Sequence, residues 1–281
     1  NVRVEKADLV GPLHKGFIAA MKTLDTGRVG MAAQAVGVAQ HALEEAVSYS
    51  KERKQFGKPI CKNQGISFML ADMATEIEAA RQLIYSTAVR KDAGDPESTK
   101  LCAMSKLFAA EMCNRVAYDA LQIHGGSGFM MDYPIQRYAR DARITNIYEG
   151  TTQLQVVAAI RYVTNGSYLA QMREFEAAEV SEAMKPLQAR AKKMADLFEE
   201  ATNYVKEAKD QEFHDICARH LVEMAADVIM LHLIQYNATQ APEMFERSAR
   251  VYANFAEAEV IKHHAWVMNM TAEQLADYRT E

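Results

Sequence analysis

The chain has 281 residues, of which 49% are hydrophobic and 25% charged, and its formal net charge is −5. This composition is typical of a soluble globular protein with one or two domains, and the acidic balance gives no indication of a nucleic-acid partner. The longest apolar run, ADVIMLHLIQY, is too short to cross a bilayer, so no transmembrane segment is expected. The four cysteines form no C-x-x-C pair and no signal peptide is recognised, which favours the bacterial cytoplasm or the mitochondrial matrix over secretion.

The first part of the chain reads as a series of helices. Its opening residues alternate valine with charged side chains like part of a strand, so residues 1–11 are expected to be the remnant of an upstream β-domain. A short helix is predicted over residues 14–24, and Asp25 suits the N-cap of a long helix that ends near Arg53. The glycine and proline of KQFGKPI then break the helical pattern.

Two further long helices and two shorter ones follow. Apolar residues at three- and four-residue steps predict one helix from near Asn63, and another is predicted from about Glu97 to Ile123, before the glycines of HGGSG. The stretches IQRYARDAR and TTQLQVVAAIRYV also read as helical. The predicted fold class is therefore all-α, with an up-down four-helix bundle over residues 12–163.

The second part of the chain is expected to form another helical bundle. The stretch TNGS at residues 164–167 is typical of a linker, and helices are predicted over about 177–208, 211–237 and 242–269. One of these helices carries apolar residues at steps of four, three, four and three, the pattern of a bundle seam: Cys217, Leu221, Met224, Val228 and Leu231. Residues 164–281 are therefore assigned to an additional helical domain.

Four short stretches carry residue types that suit a ligand or a reaction, although each also has an ordinary structural explanation. ERKQFG places basic side chains at a helix C-terminus, where they pair with the helix dipole or bind a phosphate. The glycines of QIHGGSGF suit a helix C-cap or a backbone close to a ligand, but their spacing is not that of a Rossmann fingerprint. LDTGR and IYEGTT each place an acid near a helix start, and the second acid could instead act as a base.

The order and spacing of these stretches resemble the C-terminal helical domain of acyl-CoA dehydrogenases. The similarity extends over about residues 1–163, through LDTGRVGMAAQAVGVAQHALEEAVSYSKERKQFGKPI, NQGISFMLADMATEIEAAR and ALQIHGGSGFMMDYPIQRYARDARITNIYEGTTQLQ. It implies an FAD-dependent oxidoreductase of fatty-acid β-oxidation that acts on an acyl-CoA and passes electrons to the electron-transfer flavoprotein. It also implies a homodimer or a higher homo-oligomer. TGRVGMAA and the added helices are loosely similar to the very-long-chain subgroup.

The resemblance implies a role for the acid of the Tyr-Glu-Gly-Thr motif. Glu149 would be the base that removes the α-proton of the thioester, while a hydride leaves the β carbon for the flavin and a trans-2-enoyl-CoA forms. In the isovaleryl-CoA branch the base instead precedes the arginine of LDTGR, but that position is Gly27 here, so the usual placement applies. The residues implied on the substrate side are Leu24, Asp25, Arg28, Tyr148 and Gly150.

The resemblance also implies a set of flavin contacts. The basic stretch would reach the FAD of a neighbouring subunit, and the glycine turn would let the backbone approach the dinucleotide. The segment after Glu149 opens a helix, whose N-terminus suits phosphate. The implied cofactor-binding residues are Arg53, Lys54, Gln55, Phe56, Asn63, Gln64, Gln122, Gly125, Gly126, Thr151, Thr152 and Gln153. No metal is expected, since the adjacent His263 and His264 point to different faces of a helix.

The family's β-domain and N-terminal helical domain, which complete the flavin and acyl sites, have no counterpart in this sequence. The chain is therefore expected to be a C-terminal fragment that is inactive alone, and its purified form is expected to show no flavin absorption. Two alternatives stay open. One is an acyl-CoA oxidase of the same fold, which passes electrons to oxygen, and the other is a non-catalytic helical assembly module.

Overall fold

A computed structural model describes residues 2–278, and most of that range is helical. The longest helix, α1, spans Gly16–Glu52. The predicted helix start at Asp25 is wrong, because Asp25 lies inside α1 and its carboxylate accepts a hydrogen bond of 2.8 Å from Arg28 instead of capping a helix. No proline interrupts this stretch, so every backbone N–H beyond the first turn can join the helical ladder.

After α1 the chain reverses in a short hairpin. Strand β1 (Lys54–Gln55) pairs with the antiparallel strand β2 (Lys58–Pro59). Phe56 and Gly57 form the turn, with φ values of 53° and 78°. Two consecutive positive φ angles are typical of a type I′ turn, whose twist matches that of the paired strands. The hairpin holds Phe56 out in solvent, with 94% of its surface exposed.

Five more helices complete the first part of the chain. They are α2 (Gln64–Asp92), α3 (Ser98–His124), α4 (Gly126–Phe129), α5 (Ile135–Ile144) and α6 (Thr152–Thr164). The long helices α1, α2 and α3 pack together with α6, and α4 and α5 form the connection between α3 and α6.

The directions of these helices follow from two contacts at opposite ends of α1. Near the start of α3, Thr99 donates a hydrogen bond of 3.1 Å to Asp25, and near its end the ring of His124 stacks on Tyr49 with 4.4 Å between centroids. Helices α1 and α3 therefore run parallel. Helix α2 connects them through short turns and packs on both, so it runs in the opposite direction. The predicted up-down four-helix bundle is confirmed.

The second part of the chain contains four further helices and a final 3₁₀ turn. They are α7 (Ser167–Glu176), α8 (Lys185–Ala208), α9 (Gln211–Gln240), α10 (Pro242–Asn269) and the turn Glu273–Tyr278. The predicted seam of α9 is confirmed, because all five of its residues are fully buried.

Two details of this part differ from the prediction. The linker at 164–167 is only the turn Asn165–Gly166, because Thr164 still belongs to α6 and Ser167 already begins α7. The helix predicted from residue 177 begins at Lys185, next to Pro186. A proline in the first turn of a helix costs no hydrogen bond, whereas farther inside it would remove one, so the helix begins there.

The two parts of the chain share one continuous hydrophobic core. Helix α9 packs against α2 and α6, and Asn237 donates a hydrogen bond to Gln82 of α2. Tyr168 of α7 is fully buried and its hydroxyl donates a hydrogen bond of 3.1 Å to the backbone carbonyl of Lys100. The division into domains at residue 164 stays a prediction.

Some remaining expectations concern the whole described range. Among the helices within residues 2–278, none combines the length and the apolar character that a bilayer span requires. The four cysteines are free, and all except the half-buried Cys61 are buried. Residues 2–5 form no regular structure, and the origin of the predicted segment 1–11, whose first residue lies outside the described range, stays a prediction.

Candidate active site

The turn between α5 and α6 holds an acid in an unusual backbone conformation. Glu149 has a φ of 55° and the following Gly150 a φ of 96°. Glycine adopts positive φ freely, whereas this conformation is energetically unfavourable for a glutamate because its Cβ approaches the neighbouring carbonyl oxygen. Such strain is found where a side chain must point in one required direction. Here the direction brings an exposed carboxylate to the side of α1.

Residues assigned to the substrate side by sequence gather around this carboxylate. A Cβ added to Gly27 would lie 3.7 Å from Glu149 Oε2, so the acid rests over α1 where a side chain is missing. One residue along α1, Arg28 is bound to Asp25, and Asp25 accepts a hydrogen bond from Thr99. The structure thus brings the LDTGR and IYEGTT segments together at one site.

The other two substrate-side predictions flank the same place. Tyr148 is half-buried beside α1, and burial raises the pKa of its hydroxyl. Leu24 lies one turn before Arg28 on α1 and is 38% exposed, so an apolar side chain borders the space near the acid.

The backbone carbonyl of Gly150 is held by two side chains that sequence analysis did not single out. Lys106 Nζ donates a hydrogen bond of 2.6 Å to it, and Gln155 Nε2 donates one of 3.0 Å. Lys106 is only 1% exposed. Burial lowers the pKa of its ammonium to about 8, although Glu111 and Glu149 raise it. The sequence feature that could have indicated Lys106 is a lysine within LCAMSKLFAA, whose other residues are mostly small or apolar.

The start of α6 is fixed by polar contacts on both sides. The Thr151 hydroxyl caps the helix by accepting a hydrogen bond of 3.3 Å from the Leu154 N–H. Thr152 Oγ1 donates 2.7 Å to Glu111 of α3, and its backbone N–H donates to the Asn146 carbonyl. These contacts leave the first turn of α6 facing an open groove.

This groove has a volume of about 570 Å³ and contains three residues predicted to bind the cofactor, namely Thr151, Thr152 and Gln153. Arg143 of α5 and Arg219 of α9 line it together with Glu111 of α3, so two positive charges face one negative charge. A helix N-terminus beside cationic side chains favours an anionic ligand such as a phosphate. Sequence analysis missed Arg219, because it comes from the second part of the chain.

The remaining predicted cofactor residues collect at the far end of the bundle. The hairpin after α1, the start of α2 and the end of α3 meet there, since α1 and α3 end side by side. Gly125 ends α3 with a φ of 58°, and an added Cβ would meet no atom within 4 Å, so the turn leaves open space beside it. The residues placed at this end are Arg53, Lys54, Gln55, Phe56, Asn63, Gln64, Gln122, Gly125 and Gly126.

The two groups of predicted cofactor residues are therefore far apart on one chain. Gly27, which lies under the acid, and Glu52, which precedes the hairpin, are on the same continuous helix. At 1.5 Å per residue they are separated by about 37 Å along the helix axis. A single small ligand cannot bridge this distance.

A second cavity, of about 270 Å³, lies where α9 and α10 pack on α3. Its walls are charged and internally paired: His263 Nε2 lies 3.0 Å from Glu223, and the Arg219 guanidinium donates 2.8 Å to the same acid. His264 points elsewhere and contacts Glu200, so the prediction that the adjacent histidines face different directions is confirmed. In the part of the chain that the structure describes, no three metal-binding side chains converge.

Comparison with known proteins places this geometry in a family context. A 3-(aryl)acrylate reductase of Clostridium sporogenes is 53% identical over 155 residues, which are 55% of this chain and 41% of that protein. The Caffeyl-CoA reductase-Etf complex subunit CarC of Acetobacterium woodii is 51% identical over 155 residues, with the same two shares. The chain therefore spans about two fifths of the length of these curated relatives.

The whole helical arrangement also has a counterpart among solved structures. An acyl-CoA dehydrogenase complexed with FAD from Bacillus anthracis covers 98% of this chain with a TM-score of 0.80, and the match takes up 54% of that structure. The identity is 22%, so this likeness concerns the fold, including the helices after residue 164.

Family profiles match both parts of the chain. Residues 14–162 match the family described as "Acyl-CoA dehydrogenase, C-terminal domain", and residues 164–275 match the one described as "Acyl-CoA dehydrogenase C terminal". The first match includes the acid turn, the hairpin and the glycine turn. With these profile matches, the all-α bundle and the placement of the motifs in agreement, the chain belongs to the acyl-CoA dehydrogenase family.

Proposed function

We propose that this chain supplies the catalytic base and part of the flavin site of an acyl-CoA dehydrogenase that interconverts an acyl-CoA and a trans-2-enoyl-CoA. The observation that carries the proposal is the backbone of Glu149, which is held in a left-handed conformation with its carboxylate over Gly27. A capping acid needs no such conformation. An acid whose carboxylate must point towards a bound substrate accounts for it.

The chemistry assigned to the chain's own residues is a proton transfer. Glu149 takes the α-proton of the thioester on a carboxylate oxygen, and negative charge develops on the thioester oxygen. Backbone N–H groups of the turn around Glu149 and Gly150 are suited to stabilise that charge as fixed donors. Bound flavin would supply the complementary step by accepting the hydride from the β carbon, so that a proton and a hydride together account for the new double bond.

The residues present fit FAD at two places. The groove at the start of α6 offers a helix N-terminus with Arg143 and Arg219 beside it, which suits the pyrophosphate. The hairpin with Arg53 and the open turn at Gly125 suit the other portion of a dinucleotide. Because the two places are separated by about 37 Å along α1, we assign them to two different flavins in a homo-oligomer.

The names of the relatives support a direction, an acceptor and a substrate class for the proposal. Both curated relatives are called reductases, and the same proton and hydride steps run backwards would reduce an enoyl thioester. One of them belongs to an Etf complex, which supports an electron-transfer flavoprotein as the redox partner. The bound substrate class is accordingly a CoA thioester with a saturated or unsaturated α,β bond.

The test is the replacement Glu149→Gln in a protein of the relatives' full length that carries this chain. The amide keeps the size of the side chain but cannot accept the proton, so acyl-CoA-dependent flavin reduction is expected to fall by at least about a hundredfold. Asp141→Asn, which neutralises an exposed acid on neighbouring α5, serves as the control and should leave the rate unchanged. Undiminished reduction in Glu149→Gln would show that another group is the base.

A further inference from the structure

Helix α3 carries two lysines that are buried to the same extent but bind different partners. Lys100 and Lys106 are each 1% exposed. Lys100 contacts Glu97 at 2.6 Å and the Ser167 carbonyl at 3.3 Å, near the start of the second part of the chain. Lys106 instead places its Nζ 2.6 Å from the carbonyl of Gly150, the residue after the proposed base. A buried ammonium is costly, so its hydrogen-bond partner is informative.

The Gly150 carbonyl is the part of the acid turn that Lys106 can control. The first half of the turn is anchored independently, because Asn114 binds both the Ala142 carbonyl and the Asn146 side chain. After Asn146, the two left-handed residues Glu149 and Gly150 precede α6, and such residues relax unless their neighbours are held. A charge-assisted hydrogen bond to the Gly150 carbonyl is a strong restraint on that half of the turn.

We propose that Lys106 is a positioning residue for Glu149, holding the Gly150 carbonyl so that the acid keeps its left-handed conformation when no substrate is bound. This proposal rests on the proposed function of Glu149 as the base. Lys106 touches neither the thioester nor the flavin groove, and it acts through the peptide unit that follows the base.

The charges around Lys106 act in the same sense. Arg28 of α1 faces it as a like charge, while Glu111 of α3 and Glu149 of the turn face it as opposite charges. The attraction between Lys106 and Glu149 therefore draws the acid turn towards α3, in addition to the hydrogen bond with the Gly150 carbonyl. Removing the ammonium is expected to release both restraints.

The first experiment needs no turnover and uses the 281-residue chain. Hydrogen exchange is measured for the peptide covering residues 144–155 in wild type, Lys106→Met and the matched control Lys100→Met. In Lys106→Met, exchange of that peptide should rise about tenfold, and in Lys100→Met it should stay at the wild-type rate, because only the first lysine holds the turn. Equal exchange in the two variants would overturn the proposal.

The second experiment measures kcat and KM in a protein of the relatives' full length that carries this chain. In Lys106→Met, kcat should fall about tenfold with little change in KM, because the base is displaced while the substrate is still bound. Lys106→Gln keeps an N–H donor for the Gly150 carbonyl, so its kcat should lie between those of Lys106→Met and the wild type, and it replaces Lys106→Met if that variant does not fold. A kcat that falls equally in Lys106→Met and in the control Lys100→Met would overturn the proposal, since a purely structural loss would affect both.

The two proposals fail separately. If Glu149→Gln retains full activity, the assignment of the base is wrong, and the exchange experiment still decides whether Lys106 holds the turn. If Glu149→Gln is inactive and Lys106→Met shows wild-type exchange and a wild-type kcat, the base stands and the positioning role is wrong.

Discussion

Replacing one buried acid of α9 should stabilise the chain near neutral pH. Asp227 is 5% exposed and accepts a hydrogen bond of 2.9 Å from the Tyr252 hydroxyl. Burial raises its pKa from 3.8 to about 8, the hydrogen bond from Tyr252 lowers it, and the neighbouring Glu223 and Glu259 raise it further. At neutral pH the folded protein therefore holds Asp227 protonated, whereas the unfolded chain ionises it.

The magnitude follows from linkage. Because the folded state binds the extra proton between the two pKa values, stability falls as pH rises from 3.8 towards 8. At about pH 7, keeping the acid neutral costs the folded state about 4 kcal/mol, at 1.36 kcal/mol for each pH unit above the unfolded pKa. Asp227→Asn is neutral at every pH and keeps an oxygen for Tyr252, so it should remove most of this cost.

The assay is denaturant unfolding of wild type and Asp227→Asn at about pH 7 and again at about pH 4, where the linkage cost nearly vanishes. The variant should be more stable at the higher pH by several kcal/mol, up to about 4, with a much smaller difference at the lower pH. Asp215→Asn, an exposed acid on the same helix, is the control and should change little at either pH. A stability difference that is the same at both pH values would refute the reasoning.

Two further predictions concern the acid turn. Gly150→Ala should destabilise the chain by about 1–3 kcal/mol and abolish turnover in a protein of the relatives' full length, because its new Cβ would meet Gln155 Nε2 at 2.6 Å in a backbone with a φ of 96°. Thermal unfolding and flavin reduction measure the two effects, and an unchanged melting temperature would contradict the first. Glu149→Gly should do the reverse for stability, raising it by about 1 kcal/mol since glycine accepts the left-handed conformation, while turnover is lost. Lower stability in this variant would show that the turn is not strained.

Much of the fold could be predicted because its signals are local. The apolar stripes give the long helices, and the seam of α9 was readable from its spacing alone. The errors fall where two local signals compete. Asp25 has the chemistry of a cap but is bound to Arg28 inside a continuous helix. Pro186 decides where α8 begins, although a helical pattern precedes it.

The candidate site, like the fold, could be predicted from the sequence only in part. Residues carried by motifs were identified in advance, and the structure brings LDTGR together with IYEGTT, although the roles of those residues stay predictions. Lys106 and Arg219 were not identified, because their partners are distant in sequence: Lys106 contacts Gly150 across 44 positions. Within a run of apolar residues, a lysine is visible as an exception, but nothing local says which carbonyl it will bind.

The long separation between Glu149 and the hairpin has a genetic consequence. If each flavin is enclosed by the acid turn of one copy and the hairpin of another, no single copy contains a complete site. Every site is then formed by residues of two polypeptides. A copy altered at Glu149 and a copy altered at Arg53 would each be inactive when paired with themselves. Paired with each other, they would contain one site in which both contributions are intact, so two defective alleles could complement.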